Sequence, residues 1–196
     1  TQQLFAFRDH ISALLDIPVG DVTVVPLEIG GGFGGKGMGG VYLEPVAAVL
    51  SKKSGSAVKI TMTRAEVFMG TGPTSGTAME IKLGASKDGK LKAVKARLTF
   101  EAGAFPGSPV AGGSRTMLGP YVIPNAYVEG LDVVTNVQKS SAYRAPGSPA
   151  SAFAIETAID EIAEKLDIDP IEFRLLNAAE EGTRQPANGP GYRQRG

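Results

Sequence analysis

At 196 residues the chain is long enough for one domain with a substantial core, or for two small lobes. Its twenty basic and twenty acidic residues balance to a formal charge of zero and are spread along the chain, which argues against an electrostatic grip on nucleic acid or an anionic membrane. The absence of cysteine excludes disulfides, thiolate zinc sites and iron–sulfur ligation by this chain, and no apolar run approaches the roughly eighteen residues of a membrane span.

The chain starts on Thr1 with no signal-peptide pattern and reads as a piece of something longer. Leu4, Phe7, Ile11, Leu14 and Leu15 share one face of a helix from about Leu4 to Leu15, which the breaker Pro18 and turn residue Gly20 close. His10, the single histidine, sits beside that stripe with no second histidine to share a metal, and is read as solvated. The β-branched stretch Val22–Ile29 reads as a strand, with Pro26 suggesting an edge or a bulge. Then comes the segment that most needs explaining: between Gly30 and Gly40, eight of eleven residues are glycine. Such a run makes sense where backbone must adopt positive φ or closely approach another group. Tyr42, Val46, Val49 and Leu50 recur at helical spacing beyond it, so the loop is expected to empty into a helix over Tyr42–Lys53. A short strand, Val58–Met62, and a brief helix capped by Thr63 with Glu66 at capping-box spacing follow.

From Ala78 the pattern becomes alternating. Met79, Ile81 and Leu83 form one strand face, Lys87-Asp88-Gly89 makes a turn, and Leu91, Val94, Ala96, Leu98 and Phe100 carry the return strand of a hairpin. Gly103–Gly113 reads as an ordered loop, and Val128–Val137 as a further strand leading to Arg144. Ser148 and Pro149 suit the N-cap and first position of a helix to about Leu166, with Ile155, Ile159, Ile162 and Leu166 inward and Glu156, Asp160, Glu164 and Lys165 on a solvated face. Asp169-Pro170-Ile171-Glu172 starts a last helix, and a polar, glycine-rich tail over 182–196 is expected to fray. Helices and hairpin-linked strands mix without strict alternation, which predicts an α+β fold with mixed or antiparallel sheets and packed helices. Residues 1–181 are read as the folded part, divisible into lobes at 1–75 and 76–181.

Two phosphate-binding patterns overlap in the glycine loop. Gly30 to Lys36 matches the first part of an NTPase loop, but Gly37 stands where its magnesium-binding hydroxyl belongs. Gly32, Gly34 and Gly37 match a dinucleotide fingerprint, yet Val58–Met62 offers no acid for a ribose. A nucleotide- or phosphate-binding domain using Gly30–Gly40 therefore stays as an alternative.

Gly31-Gly32-Phe33-Gly34-Gly35-Lys36, then Tyr143-Arg144-Ala145-Pro146-Gly147-Ser148-Pro149-Ala150, and the pair Thr1-Gln2 ahead of both, resemble three landmarks of the molybdenum hydroxylases. This is the xanthine dehydrogenase and aldehyde oxidase family, and the likeness covers nearly the whole chain. The resemblance implies an α+β fragment of the large subunit, binding a molybdenum-pterin cofactor (molybdopterin, with or without a nucleotide extension). It implies oxidative hydroxylation of an aldehyde or N-heterocycle with water as the oxygen source, in a cytoplasmic enzyme that is oligomeric at full length. FAD and 2Fe-2S clusters would sit on partner modules. On that resemblance Gln2, Gly32, Phe33, Gly34, Gly35 and Arg144 are the cofactor-binding residues and Arg144 also the catalytic one, with no residue of this chain a direct metal ligand. The resemblance has departures. Gly37 replaces a substrate-contacting glutamate and Pro146 a stacking aromatic of the purine enzymes, so purine hydroxylation is not expected; Ala150 replaces the second motif's terminal glutamine. The family's general-base glutamate lies farther along than this chain reaches, so the piece alone is expected to be inactive. A family-like scaffold that has lost its cofactor is the remaining alternative.

Overall fold

The computed structural model describes residues 1–37 and 42–183. In chain order it contains α1 (Leu4–Leu15), a single 3-10 turn at Val19–Asp21, α2 (Leu43–Ser54), α3 (Arg64–Gly70), β1 (Thr77–Ala85), β2 (Leu91–Gly103), α4 (Val110–Thr116), β3 (Asn125–Val134), α5 (Ser148–Lys165) and α6 (Pro170–Asn177). The chain divides into two units: Thr1–Thr74 with Val137–Arg144, and Ser75–Asn136 with the chain from Ala145 on.

The first unit is helical among its described residues. α1 has the predicted bounds, but of its apolar stripe only Phe7 is fully buried, and Leu14 is exposed. His10 is exposed as expected. Neither Val22–Ile29 nor Val58–Met62 is a strand. Both have strand-like composition, but no described strand of this unit pairs with them, and Val25 and Leu27 project into solvent. Propensity proposes a strand; only a ladder partner makes one. α3 carries the full capping box. The Thr63 hydroxyl accepts from the Glu66 N–H at 3.3 Å, and the Glu66 carboxylate accepts from the Thr63 N–H at 2.6 Å. The Thr63 N–H, and then the Thr63 hydroxyl donating to the same carboxylate at 2.8 Å, hold the Glu66 carboxyl below its ordinary value.

The second unit is built on a three-stranded sheet of order β1-β2-β3. β1 and β2 form the antiparallel hairpin, from Thr77 opposite Phe100 to Ala85 opposite Leu91. β3 runs parallel to β2, from Asn125 opposite Ala93 to Val134 opposite Gly103. The sheet is therefore mixed and the fold α+β. Period-two alternation buries Val94, Ala96, Leu98, Phe100 and Ala102 on β2, and α5 lays Ile155, Ile159 and Ala163 on the same core, with Phe173 of α6. The stretch read as a loop from Gly103 to Gly113 contains the start of α4. Gly112 and Gly113 disfavour a helix on propensity, but a Cβ at Gly113 would lie 3.1 Å from both the Phe100 ring and the Gly147 carbonyl, so packing against the core overrides propensity there.

α5 begins one residue earlier than read, with Gly147 as N-cap. Its acidic face is less solvated than its spacing suggests. Glu156 accepts from the Tyr121 hydroxyl at 2.7 Å and from Arg174 Nε at 2.9 Å, and Asp160 pairs with Arg174 Nη1 at 2.7 Å. The partner arginine sits on α6, eighteen residues from Glu156, beyond the reach of a single-helix reading. Asp169 caps α6 as predicted, accepting from the N–H groups of Ile171 and Glu172. Asn177 ties the end of α6 to the hairpin: its Oδ1 accepts from the Leu91 N–H at 2.8 Å, and its Nδ2 donates to the carbonyls of Gly89 and Phe173, each at 2.9 Å. The predicted tail lies, from residue 184 on, outside the described residues, as do Met38 to Val41 of the glycine run.

Candidate cofactor site

The residues singled out from sequence meet in the first unit, around the turn Gly32–Gly37. Two internal hydrogen bonds shape it: Gly35 N–H to the Gly32 carbonyl at 2.8 Å, and Gly37 N–H to the Gly34 carbonyl at 3.1 Å. Phe33 holds φ +51°, a backbone region that costs a non-glycine residue energy and persists only where its surroundings impose it. The residue is 61% exposed.

Gln2 does most of the imposing. Its backbone N–H donates to the Lys36 carbonyl at 2.9 Å, and its side-chain Oε1 accepts from the N–H groups of Gly34 and Lys36, both at 3.1 Å. Two N–H donors on one amide oxygen also fix which end of the amide is which. The Nε2 amino group is thereby left pointing away from the clamp, with no hydrogen bond among the described residues. Gly32 is bare because Gln2 lies across it: an added Cβ would stand 2.4 Å from the Gln2 side chain.

The Arg144 segment docks on the same turn. Arg144 N–H donates to the Phe33 carbonyl at 2.7 Å. Gly34 holds φ +93°, and a Cβ there would sit 2.7 Å from the Ala142 carbonyl oxygen. The close approach expected at Gly34 is thus made by the chain's own backbone. The other side of this segment is held by Ser141 N–H donating to the Pro73 carbonyl at 2.8 Å. The Arg144 guanidinium is exposed and makes no hydrogen bond or ion pair among the described residues.

The structure thus brings the loop, Gln2 and the Arg144 backbone together, and adds what the sequence does not announce: Ala142 under Gly34, and the two N–H groups on the Gln2 oxygen. A glycine signals that something approaches closely; it carries no signal of what. The Lys36 ammonium donates to the Ile29 carbonyl across the mouth of the loop. That use, and the absence of a preceding strand, removes the basis for an NTPase-type loop, in which the lysine reaches phosphates from a strand–loop–helix frame.

What remains available around the turn is a set of donors without an acid among them. The Gln2 amino group, the Arg144 guanidinium and the N–H groups of Gly31, Gly32 and Phe33 all lack a protein acceptor among the described residues. No group of three or more His, Cys, Asp or Glu side chains that could hold a metal ion occurs among the described residues. Such a donor set suits a ligand that brings anionic oxygens.

Residues 1–178 match the model of the molybdopterin cofactor-binding domain. The chain belongs to that family. Among its relatives, the xanthine dehydrogenase molybdenum-binding subunit of Escherichia coli O157:H7 is 35% identical over 96% of this chain and 25% of its own length. The nicotinate dehydrogenase large molybdopterin subunit of Eubacterium barkeri is 32% identical over 94% of this chain and 44% of its own length. Among solved structures, the aldehyde oxidoreductase of Desulfovibrio gigas superposes with a TM-score of 0.85 at 30% identity, covering 93% of this chain and 20% of that one. The chain thus spans about a quarter of the length of the first curated relatives it matches. The donor set on the turn fits a molybdopterin of this family in offering hydrogen bonds to oxygens.

Proposed function

We propose that this chain is the part of a molybdenum oxidoreductase large subunit that holds the cofactor against the Gly32–Gly35 turn, in a cytoplasmic enzyme hydroxylating aldehydes or N-heterocycles. When bound, the molybdenum-pterin cofactor supplies two-electron oxidation of a carbon with water as the oxygen source. Gln2 directs its free amino group at an oxygen on the cofactor side while its carbonyl keeps the turn closed. Gly32 and Phe33 present free backbone N–H groups to the cofactor face, while Gly34 and Gly35, whose N–H groups are used within the turn, shape that face. Arg144 offers an unpaired guanidinium to negative charge developing on a substrate oxygen or resting on the pterin, the kind of preorganised donor that acts mainly in the transition state. Flavin and 2Fe-2S modules would accept the electrons, and a base supplied by the rest of the subunit would complete the site. Gly37 in the turn leaves no side chain to hydrogen-bond a polar heterocycle there, which favours aldehydes and less polar rings over purines.

The observation that carries this reading is the joint clamp on the turn, with Gln2 on one flank and Arg144 N–H on the Phe33 carbonyl. The test is isotopic. Full-length protein turning over an aromatic aldehyde or an azaheterocycle with an artificial electron acceptor in ¹⁸O-water is expected to give labelled product. Product carrying oxygen from O₂ would overturn the reading.

A further inference from the structure

The loop's entry is held differently from its exit. On the exit side Gly34, Gly35, Lys36 and Gly37 all donate their N–H groups within the chain. On the entry side Gly30 and Gly31 both lie at positive φ, +65° and +105°, and neither makes a hydrogen bond among the described residues. Yet the entry half carries the N–H groups of Gly31 and Gly32, leading into that of Phe33, none of which has an acceptor among the described residues. Glycines without ties sample many conformations, and donors that move are poor ligands for a fixed oxygen.

One contact joins the two halves. Lys36, anchored at the exit by its own N–H and carbonyl on Gln2, sends its ammonium back seven residues to the Ile29 carbonyl. No acidic side chain competes for that ammonium among the described residues. A further packing contact points the same way: Gly31 lies under the Phe33 ring, where an added Cβ would be 3.1 Å from the ring edge, so the entry is folded back over the turn.

The geometry points to Lys36 as a positioning residue for the cofactor face: its ammonium closes the glycine loop on Ile29 and so fixes the Gly31–Phe33 donors. Lys36 acts through the loop backbone and does not itself touch the cofactor. This rests on the function proposed above, and its test separates the two.

The experiment uses full-length protein, wild type beside Lys36→Met, Lys36→Gln and Lys36→Arg, followed by hydrogen exchange of the 29–37 segment with and without cofactor, and by molybdenum and pterin content. Losing a charge-assisted hydrogen bond is expected to speed exchange over 29–37 in cofactor-free Lys36→Met by roughly tenfold. Lys36→Gln, too short to span the loop, should behave alike, both should retain less cofactor, and Lys36→Arg should restore both properties. Unchanged exchange over 29–37 in the Met and Gln variants would overturn the clasp. Cofactor loss with unchanged exchange would do the same, by making Lys36 a direct ligand. Should Lys36→Met fail to fold, the Gln and Arg pair decides: slow exchange in both overturns the proposal. Wild-type protein devoid of molybdenum and pterin overturns the cofactor function as well, whereas the exchange result alone decides the clasp.

Discussion

The two amide ends of Gln2 have different work. The oxygen is committed to Gly34 and Lys36, while the amino group makes no hydrogen bond among the described residues and is the group proposed to meet the cofactor. Substitution can divide them. Gln2→Glu keeps an acceptor and removes the donor, so exchange at Gly34 and Lys36 should match wild type while cofactor retention in the full-length protein falls. Gln2→Ala should lose both. A Gln2→Glu protein with wild-type cofactor content and turnover would remove Gln2 from the cofactor face. At Gly34, Ala substitution meets both a disfavoured φ and the Ala142 carbonyl. The expected cost is roughly 1–3 kcal/mol of local stability, read as faster exchange at the Arg144 amide, which hangs on the neighbouring Phe33 carbonyl. Unaltered exchange there would show that the two segments are not joined through this turn.

Among the elements, the second unit offers two tests of how α5 and α6 are fixed. Asn177→Ala would leave the buried Leu91 N–H and the Gly89 carbonyl without their partner, at a cost of about 1–3 kcal/mol in chemical denaturation. Tyr121 gives a pH signature. Burial first, and then its hydrogen bond to Glu156, push the phenol up to about 12, so the folded protein keeps a proton that an unfolded chain releases near its ordinary value of about 10. The associated stability is full below about pH 10 and is lost as pH rises through about 12. Tyr121→Phe should flatten that part of the stability profile, and an unchanged slope would contradict the assignment.

The same elements show what could be read in advance. α1, the hairpin and α6 were legible because each is specified locally: a 3.6-residue apolar period ended by a breaker, a two-residue alternation around Lys87-Asp88-Gly89, and an Asp-Pro start. Val22–Ile29 and Val58–Met62 were not, because strand identity depends on a partner that composition does not name. α4 was hidden by glycines whose purpose is close packing. The salt bridges of Glu156 and Asp160 needed knowledge of where a second helix lies. At the site, the motif residues were legible by resemblance, whereas Ala142 under Gly34 lies 108 positions away in sequence and nothing local announces it.

Across the whole molecule the two units differ in how they are held. The second has a continuous core centred on Leu98, Phe100, Ile155, Ile159 and Phe173. Leu98→Ala should cost about 2–5 kcal/mol, seen as a lower denaturant midpoint with little change in slope. The first fully buries one large apolar side chain, Phe7, among its described residues, and leaves Phe5, Val25, Leu27, Phe68 and Met69 exposed. It holds its site by backbone hydrogen bonds and bare glycines more than by a core of its own. Exchange should therefore rank the β2 and α5 amides well above those of α1 and α2 in a piece ending at residue 183, and equal protection in both units would contradict this division.

The proposed function stands most directly on whether the Gly32–Gly35 turn holds a molybdenum-pterin group. Molybdenum and pterin contents of purified full-length protein, wild type beside Gln2→Glu, which keeps the turn's acceptor, decide it: both near stoichiometric in wild type and lowered together in the variant is the expected result. A wild-type protein with neither, or a Gln2→Glu protein that keeps both at the wild-type level, would contradict it.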